Sequence, residues 1–202
     1  MRLVSFLAAL ALAVSASAQT PLDLAATRMA GQEASFIHRF APKGFKTSQV
    51  ERGTVAFGTL PSMRWSYTAP EQKLFVFDGR TSWFYVPADK QVTVARVDDT
   101  KKRELPFLLL GDPRARDKHF VVTQKAAAGT VVTRLTPRDQ AAAIREASVT
   151  TNVKSGLIQK IEYTDRQGNR TTFELSGYRK GAAGSNAFRF VPPAGVQVVN
   201  AN

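Results

Sequence analysis

The sequence contains no cysteine. That excludes disulfides, thiolate metal sites, a catalytic thiol and a diacylglycerol anchor on the chain's own cysteine, so stability has to come from packing. Histidine is scarce: His38 and His119 are the two. No Gly-x-Ser-x-Gly or His-x-x-x-His pattern, phosphate loop or zinc-ligand spacing occurs, so no catalytic residue, metal or cofactor is assigned. His38 reads as a strand residue with a satisfied ring, and Asp78 as part of an Asp78-Gly79 hairpin turn. Asp98-Asp99 is followed at once by Lys101-Lys102-Arg103, the composition of a solvated loop. Acidic residues are few, 16 against 28 Lys and Arg, for a formal charge of +12. Such a balance suits anionic lipid head groups or acidic protein surfaces, or a generally basic surface with no dedicated partner. Nucleic acid is not expected, because the aromatic stretch described below carries too few cations for a stacking platform.

Long apolar runs are missing except at the start. Arg2 precedes an almost wholly apolar run over residues 3–14, and Ala16-Ser17-Ala18 supplies a small-x-small cleavage pattern before Gln19. The run is roughly a dozen residues, short of the ~20 that span a bilayer. Residues 1–18 therefore read as a secretory signal peptide and residues 19–202 as a single exported domain. Loss of Arg2 with the leader lowers the formal charge to +11.

The mature part is rich in short alternating segments. Residues 22–35 open with apolar positions Leu22, Ala25, Ala26 and Met29 after Asp23, the pattern of a short amphipathic helix, which Gly31 should end between 29 and 34. Phe36, His38 and Phe40 then alternate as a strand, and residues 49–57 alternate again. Residues 63–94 form the centre of the chain. Three aromatic runs (63–68, 73–78 and 82–86) and a Val-rich fourth (91–94) are separated by turn chemistry at residues 69–72, 78–80 and 87–90, which makes a β-meander. Trp65 shares a face with Tyr67, Phe75 with Phe77, and Trp83 with Tyr85. Side by side they are expected to form one aromatic wall, whose rings bury ~150 to 250 Å² each and need a partner of comparable size.

Past a charged connector at residues 98–104, Pro106-Phe107-Leu108-Leu109-Leu110 reads as a short apolar helix or turn that Gly111 and Pro113 stop. Strand-like runs return at 120–126, 131–137, 145–152, 157–164 and 170–176. Residues 181–185 read as a loop, and 188–199 as a terminal extended segment broken at Pro192-Pro193. About ten short strands with two apolar helical pieces imply a mostly β fold: an antiparallel sheet curled into an unclosed barrel, its concave apolar face covered by those pieces. Met29, Trp65, Phe75, Phe77, Trp83, Tyr85, Phe107, Leu108, Leu109 and Leu110 are the expected lining of the covered space or its lid. The piece at 106–110 is the expected moving cover.

Four motifs carry a resemblance that spans essentially the whole mature chain. They are Pro61-x-x-Arg64-Trp65-x-Tyr67-x-x-Pro70, Phe75-x-x-Asp78-Gly79-x-x-x-Trp83-x-Tyr85-x-Pro87, the 106–110 segment, and Phe188-x-Phe190-x-Pro192-Pro193-x-Gly195-Val196. Together with the Cys-free leader and the amphipathic helix they resemble the LolA family of periplasmic lipoprotein carriers. The resemblance implies an unclosed β-barrel lidded by helices that carries the acyl chains of acylated lipoproteins across the periplasm. It implies partners too: an inner-membrane lipoprotein-releasing ABC transporter that loads the cargo and the outer-membrane receptor LolB that takes it. Carrying one cargo requires only a monomer. Some family members have a basic residue just before the proline that is Pro61 here; this chain has Leu60. Arg64 is then the nearest candidate for a lid contact, or else a solvent-facing strand residue paired with a neighbouring carboxylate. A periplasmic carrier of free lipid or another amphiphile with the same fold is the alternative. Either reading has a physical requirement. Burying an acyl chain gains ~0.8 kcal/mol per methylene, so release demands a cover that opposes loading.

Overall fold

The computed structural model describes residues 20–98, 110–181 and 184–201. The expected signal peptide and the cover residues Phe107, Leu108 and Leu109 lie outside the described residues. So does most of the charged connector.

The first helix, α1 (Pro21–Met29), starts where its caps dictate. Pro21 occupies the first turn, the Thr20 hydroxyl accepts from the Asp23 N–H, and the Asp23 carboxylate returns the bond to the Thr20 N–H, forming a capping box. Leu22, Ala25, Ala26 and Met29, the positions with helical apolar spacing, are the buried ones. Gly31 ends the helical stretch at φ 74°, a conformation that costs glycine nothing. The chain then enters β1 (Gln32–Ala41) four residues before the alternation at Phe36 suggests, because pairing with two neighbours extends the strand at its start.

From β1 the chain meanders through β2 (Gln49–Phe57), β3 (Met63–Ala69), β4 (Lys73–Phe77), β5 (Thr81–Val86) and β6 (Gln91–Arg96). A second helix, α2 (Pro113–His119), leads into β7 (Phe120–Ala127), β8 (Thr130–Pro137), β9 (Ile144–Asn152), β10 (Ile158–Asp165) and β11 (Arg170–Lys180). A 3₁₀ turn (Ser185–Phe188) precedes β12 (Gln197–Ala201). The twelve strands make one sheet in the order β12-β6-β5-β4-β3-β2-β1-β11-β10-β9-β8-β7. All pairings are antiparallel except β12 with β6, and β1 with β11 joins the two meanders. β7 and β12 end the sheet without meeting, so it is unclosed.

Ring contacts show how strongly the sheet curls. Trp65 on β3 and Phe173 on β11 are three strand spacings apart, about 14 Å on a flat sheet. Their ring centroids are 5.0 Å apart. The sheet therefore bends around α1, and the core lies inside the bend: Leu22, Ala25 and Met29 of the helix against Phe36, Val55, Trp65, Val149, Ile158, Ile161 and Leu175 of the strands.

α2 departs from the sequence expectation. Pro113 begins a helix instead of stopping one, with Asp112 as its N-cap accepting from the Ala115 N–H at 3.0 Å. An Asp-Pro pair fits the start of a helix, since proline at the first position gives up only an N–H that has no helical partner.

Candidate functional site

Register decides which aromatic side chains look inward. Across β1 to β5, Ala34, Val55, Trp65, Phe75 and Phe84 are consecutive cross-strand partners and share the α1 face. Phe57, Met63 and Phe77 share that face too. The next row belongs to the opposite face: Ala56, Arg64, Val76, Trp83 and Val94. Tyr85, opposite Leu74 and Val92, joins it.

The expected lining is thus divided. Met29, Trp65, Phe77 and Leu110 are buried in the core under α1, and Phe75 packs against its margin. Trp83 and Tyr85 are half-buried on the other face, where the expected single wall does not extend. Arg64 also points away from α1, and its Nη1 donates to the Ala187 carbonyl at 3.3 Å. It holds the C-terminal segment in place. Of the two sequence readings of Arg64, neither names this partner; the contact joins residues 123 positions apart.

That segment explains a second apolar layer. Val76 and Val92 are fully buried although they face away from α1. Phe188 is buried close to Gly58, and Phe190 stacks obliquely on Tyr85 with centroids 5.5 Å apart.

Inside the bend, Trp65 contacts the edges of Phe36 at 5.0 Å and Phe57 at 6.3 Å, and Phe36 in turn meets Tyr67 at 4.9 Å. The space directly beneath α1 is filled by Leu22, Ala25 and Met29, each without exposed surface. Two clefts open beside the helix. One of about 280 Å³ lies between its flank (Asp23, Ala26, Ala30) and Leu60, Leu110 and Pro113. The other, about 620 Å³, separates the end of α1 from Phe57, Ser62 and the C-terminal Phe188.

One end of the aromatic interior has a polar rim. Lys73 Nζ donates to Glu51 Oε1 at 2.7 Å, and His38 Nδ1 lies 3.0 Å from Glu51 Oε2. A carboxylate can only accept, so His38 carries its proton on Nδ1. Burial holds the His38 pKa below its ordinary value despite the carboxylate beside it. At neutral pH the imidazole is uncharged and the contact is a hydrogen bond, not an ion pair. Burial acts to raise the Glu51 pKa, but the Lys73 ammonium and the His38 hydrogen bond outweigh it and leave it low. Burial also pushes the Tyr67 phenol up. The His38 ring stacks on Phe173 at 4.3 Å. Asp78 accepts from the Arg80 and Thr81 N–H groups at 2.8 and 2.7 Å, the geometry of a turn. Among the described residues no His, Asp or Glu cluster could hold a metal ion, and no helix is long and apolar enough to cross a membrane.

Sequence reasoning missed Arg116. It sits on α2, is 2% exposed, and its Nη1 donates to Asp23 Oδ1 at 2.7 Å. The Asp112-Pro113 start signal would have placed it on a helix; its partner, 93 residues earlier, has no local signal.

Comparison with known proteins agrees with this architecture. The chain is 34% identical over 188 residues to the outer-membrane lipoprotein carrier protein of Xanthomonas oryzae pv. oryzae, covering 91% of this chain and 88% of the relative. It is 30% identical to the protein of the same name from Bordetella pertussis, with 92% and 87% covered. An uncharacterized conserved protein from Thermus thermophilus shares the fold at a TM-score of 0.53 and 12% identity, over 90% of this chain and 97% of that one. The family model described as outer membrane lipoprotein carrier protein LolA matches residues 28–191, and with relatives at this identity the chain belongs to the LolA family.

Proposed function

We propose that the mature chain, beginning near Gln19, is a soluble periplasmic chaperone. It binds the acyl chains of lipoproteins and carries them from the inner membrane to the outer membrane. The carrying observation is that the apolar interior is built from two separable pieces. α1 contributes Leu22, Ala25 and Met29, fully buried, yet it is joined to the sheet by side-chain packing and one hydrogen bond from Arg28 to the Ser155 carbonyl, not by a strand ladder. A helix held this way can leave an aromatic trough of Phe36, Trp65, Phe75 and Phe77 to an acyl chain and return when the chain is gone. Leu110 and these rings are the proposed cargo contacts, with Met29 on the cover that cargo displaces and residues 107–109 as further cover. Trp83 and Tyr85 belong to the layer beneath the C-terminal segment.

In this reading the chain is a carrier and not an enzyme. It receives cargo from an inner-membrane lipoprotein-releasing ABC transporter and delivers it to the outer-membrane receptor LolB, working as a monomer. Mass analysis of material co-purified from the native periplasm tests the proposal. Acylated polypeptide is the expected cargo. Free lipid without polypeptide would move the function to general amphiphile carriage, and N-terminal sequencing of the same sample should begin within a residue or two of Gln19.

A further inference from the structure

Arg116 is the largest side chain buried to 2% or less among the described residues, and it is a cation. Its two carboxylate partners lie on the two helices: Asp23 of α1 at 2.7 Å and Asp117 of α2 itself at 3.0 Å. Asp117 is 59% exposed, so the buried partner is Asp23, which is 17% exposed, closes the α1 capping box by accepting from the Thr20 N–H, and also accepts from Thr20 Oγ1 at 2.7 Å. One guanidinium thus connects the start of α1 to α2. The 280 Å³ cleft runs beside this connection, with Asp23 on one wall and Leu110 and Pro113, just before Arg116, on the other.

A buried ion pair is a poor choice if only stability is wanted. Desolvation of both ions offsets most of their attraction, and an apolar pair of similar volume is often as good or better. The pair differs from an apolar contact in what happens on separation. Apolar surfaces lose their whole burial energy when they part, whereas parted ions recover their hydration. An ion pair therefore specifies the closed position sharply, and removing one ion leaves the other uncompensated in that position, which shifts the balance toward the open one.

We propose that Asp23 and Arg116 form the latch of the carrier, with Arg116 as the positioning residue: the pair seats α1 against α2 in the unloaded protein and parts when an acyl chain enters the cleft between α1 and the segment Leu110 to Pro113. This rests on the carrier reading and deepens it, since it says where the cover opens. A latch lowers the fraction of molecules ready to load, and apparent affinity falls by that fraction.

The test compares wild type with Arg116→Met, Arg116→Lys and Asp23→Asn by three measurements. They are binding of a fluorescent fatty-acid analogue, amide hydrogen exchange resolved along the chain, and thermal unfolding. Arg116→Met and Asp23→Asn should bind the probe about tenfold more tightly, within the usual span of such couplings. Exchange in α1 should quicken by a similar factor while β1 and β11 stay protected, and Arg116→Lys, which retains the cation, should remain near wild type. If α1 and the strands lose protection together, the pair is a structural support and the latch is refuted. Refutation also follows if α1 is freed with no gain in probe affinity. Wild type that binds no acyl probe at all would overturn the carrier reading itself, a result separate from the other two.

Discussion

Met29→Ala should make the protein less stable and a better binder. Met29 closes the last turn of α1 with no exposed surface, packed into the core that Trp65 and Phe36 share. Truncating a buried methionine to alanine costs about 2 to 5 kcal/mol, the higher values where the surroundings cannot collapse. The core it joins is built mainly from side chains carried on strands, so about 3 kcal/mol is the expected loss. The same burial opposes cargo. An acyl chain that enters the trough must lift Leu22 and Met29, each worth roughly 1.5 to 3 kcal/mol of burial, against its own gain of about 0.8 kcal/mol per methylene. Displacing the two side chains thus cancels the gain from roughly four to eight methylenes, which keeps release feasible. Removing the Met29 share should tighten binding of a fluorescent acyl probe by about 10- to 100-fold, at 1.4 kcal/mol per factor of ten. Urea unfolding followed by tryptophan fluorescence gives the stability arm and probe titration the binding arm. Phe188→Ala serves as control, because it uncovers the opposite face and should lower stability without tightening binding. If Met29→Ala loses stability and affinity together, α1 is a fixed part of the core and the argument fails.

Three further outcomes follow from the structure. Trp83→Ala should cost less than the ~3 to 5 kcal/mol of a fully packed aromatic, since Trp83 is half-buried, and should leave acyl-probe affinity unchanged; weakened binding would return Trp83 to the lining. Gly53→Ala should destabilise by about 3 kcal/mol or more, because a Cβ there would stand 2.8 Å from the Ser66 carbonyl carbon and 2.9 Å from the Phe36 ring; a near-wild-type urea midpoint would contradict this packing. Stability should fall as pH drops. His38, with its folded pKa depressed by burial, contributes stability above its ordinary 6.5 that is lost as pH falls through its lower folded value. Asp23 and Glu51 act in the same direction lower down. Burial works against each, but hydrogen bonds and cations hold both low, so their contributions exist above the ordinary carboxylate range and vanish as pH falls below it. A urea midpoint that rises on acidification would reverse this sign.

What was legible in the sequence was local. The helical spacing of Leu22, Ala25, Ala26 and Met29 names the buried face of α1, and the turn chemistry at residues 69–72, 78–80 and 87–90 separates strands that the structure contains. The half-barrel followed from the number of short strands and the shortage of helices. Pairings between distant segments were not legible. β1 with β11 and β12 with β6 depend on which edges remain open once each meander is complete, a property of the assembled sheet. Arg116 and the partner of Arg64 were hidden for the same reason, since a long cationic side chain can reach partners on elements that sequence spacing does not bring near. α2 was misread because proline near Gly111 suits both a stop and a start, and the deciding residue is the capping Asp112.

The division of the aromatic wall has a simple origin in the hairpins. Between β3 and β4 the closing pair is Tyr67 with Lys73, five residues apart in the loop, so odd-numbered positions face odd-numbered ones and Trp65 meets Phe75. Between β4 and β5 the closing pair is Phe77 with Ser82, and only four residues intervene. That even count exchanges the parity of every later position: Phe84 inherits the inner face, and Trp83 and Tyr85 turn outward. A meander with large aromatic side chains on both faces cannot leave either face in water. α1 covers the inner face near β1 to β3, and the segment around Phe188 and Phe190 covers the outer face near β3 to β6. The four-residue Asp78-Gly79-Arg80-Thr81 connection therefore dictates that this fold has two apolar layers, and that the C-terminal motif of Phe188 and Phe190 has a surface waiting for it. The covers differ in how they are tied. The outer one continues into a strand hydrogen-bonded to β6, whereas the inner one is held by packing, by Asp23 to Arg116 and by a hydrogen bond from Arg28 to the Ser155 carbonyl at 2.9 Å. A cover without a ladder is the one that can move, and this is why the proposed cargo entry lies on the α1 side of the sheet.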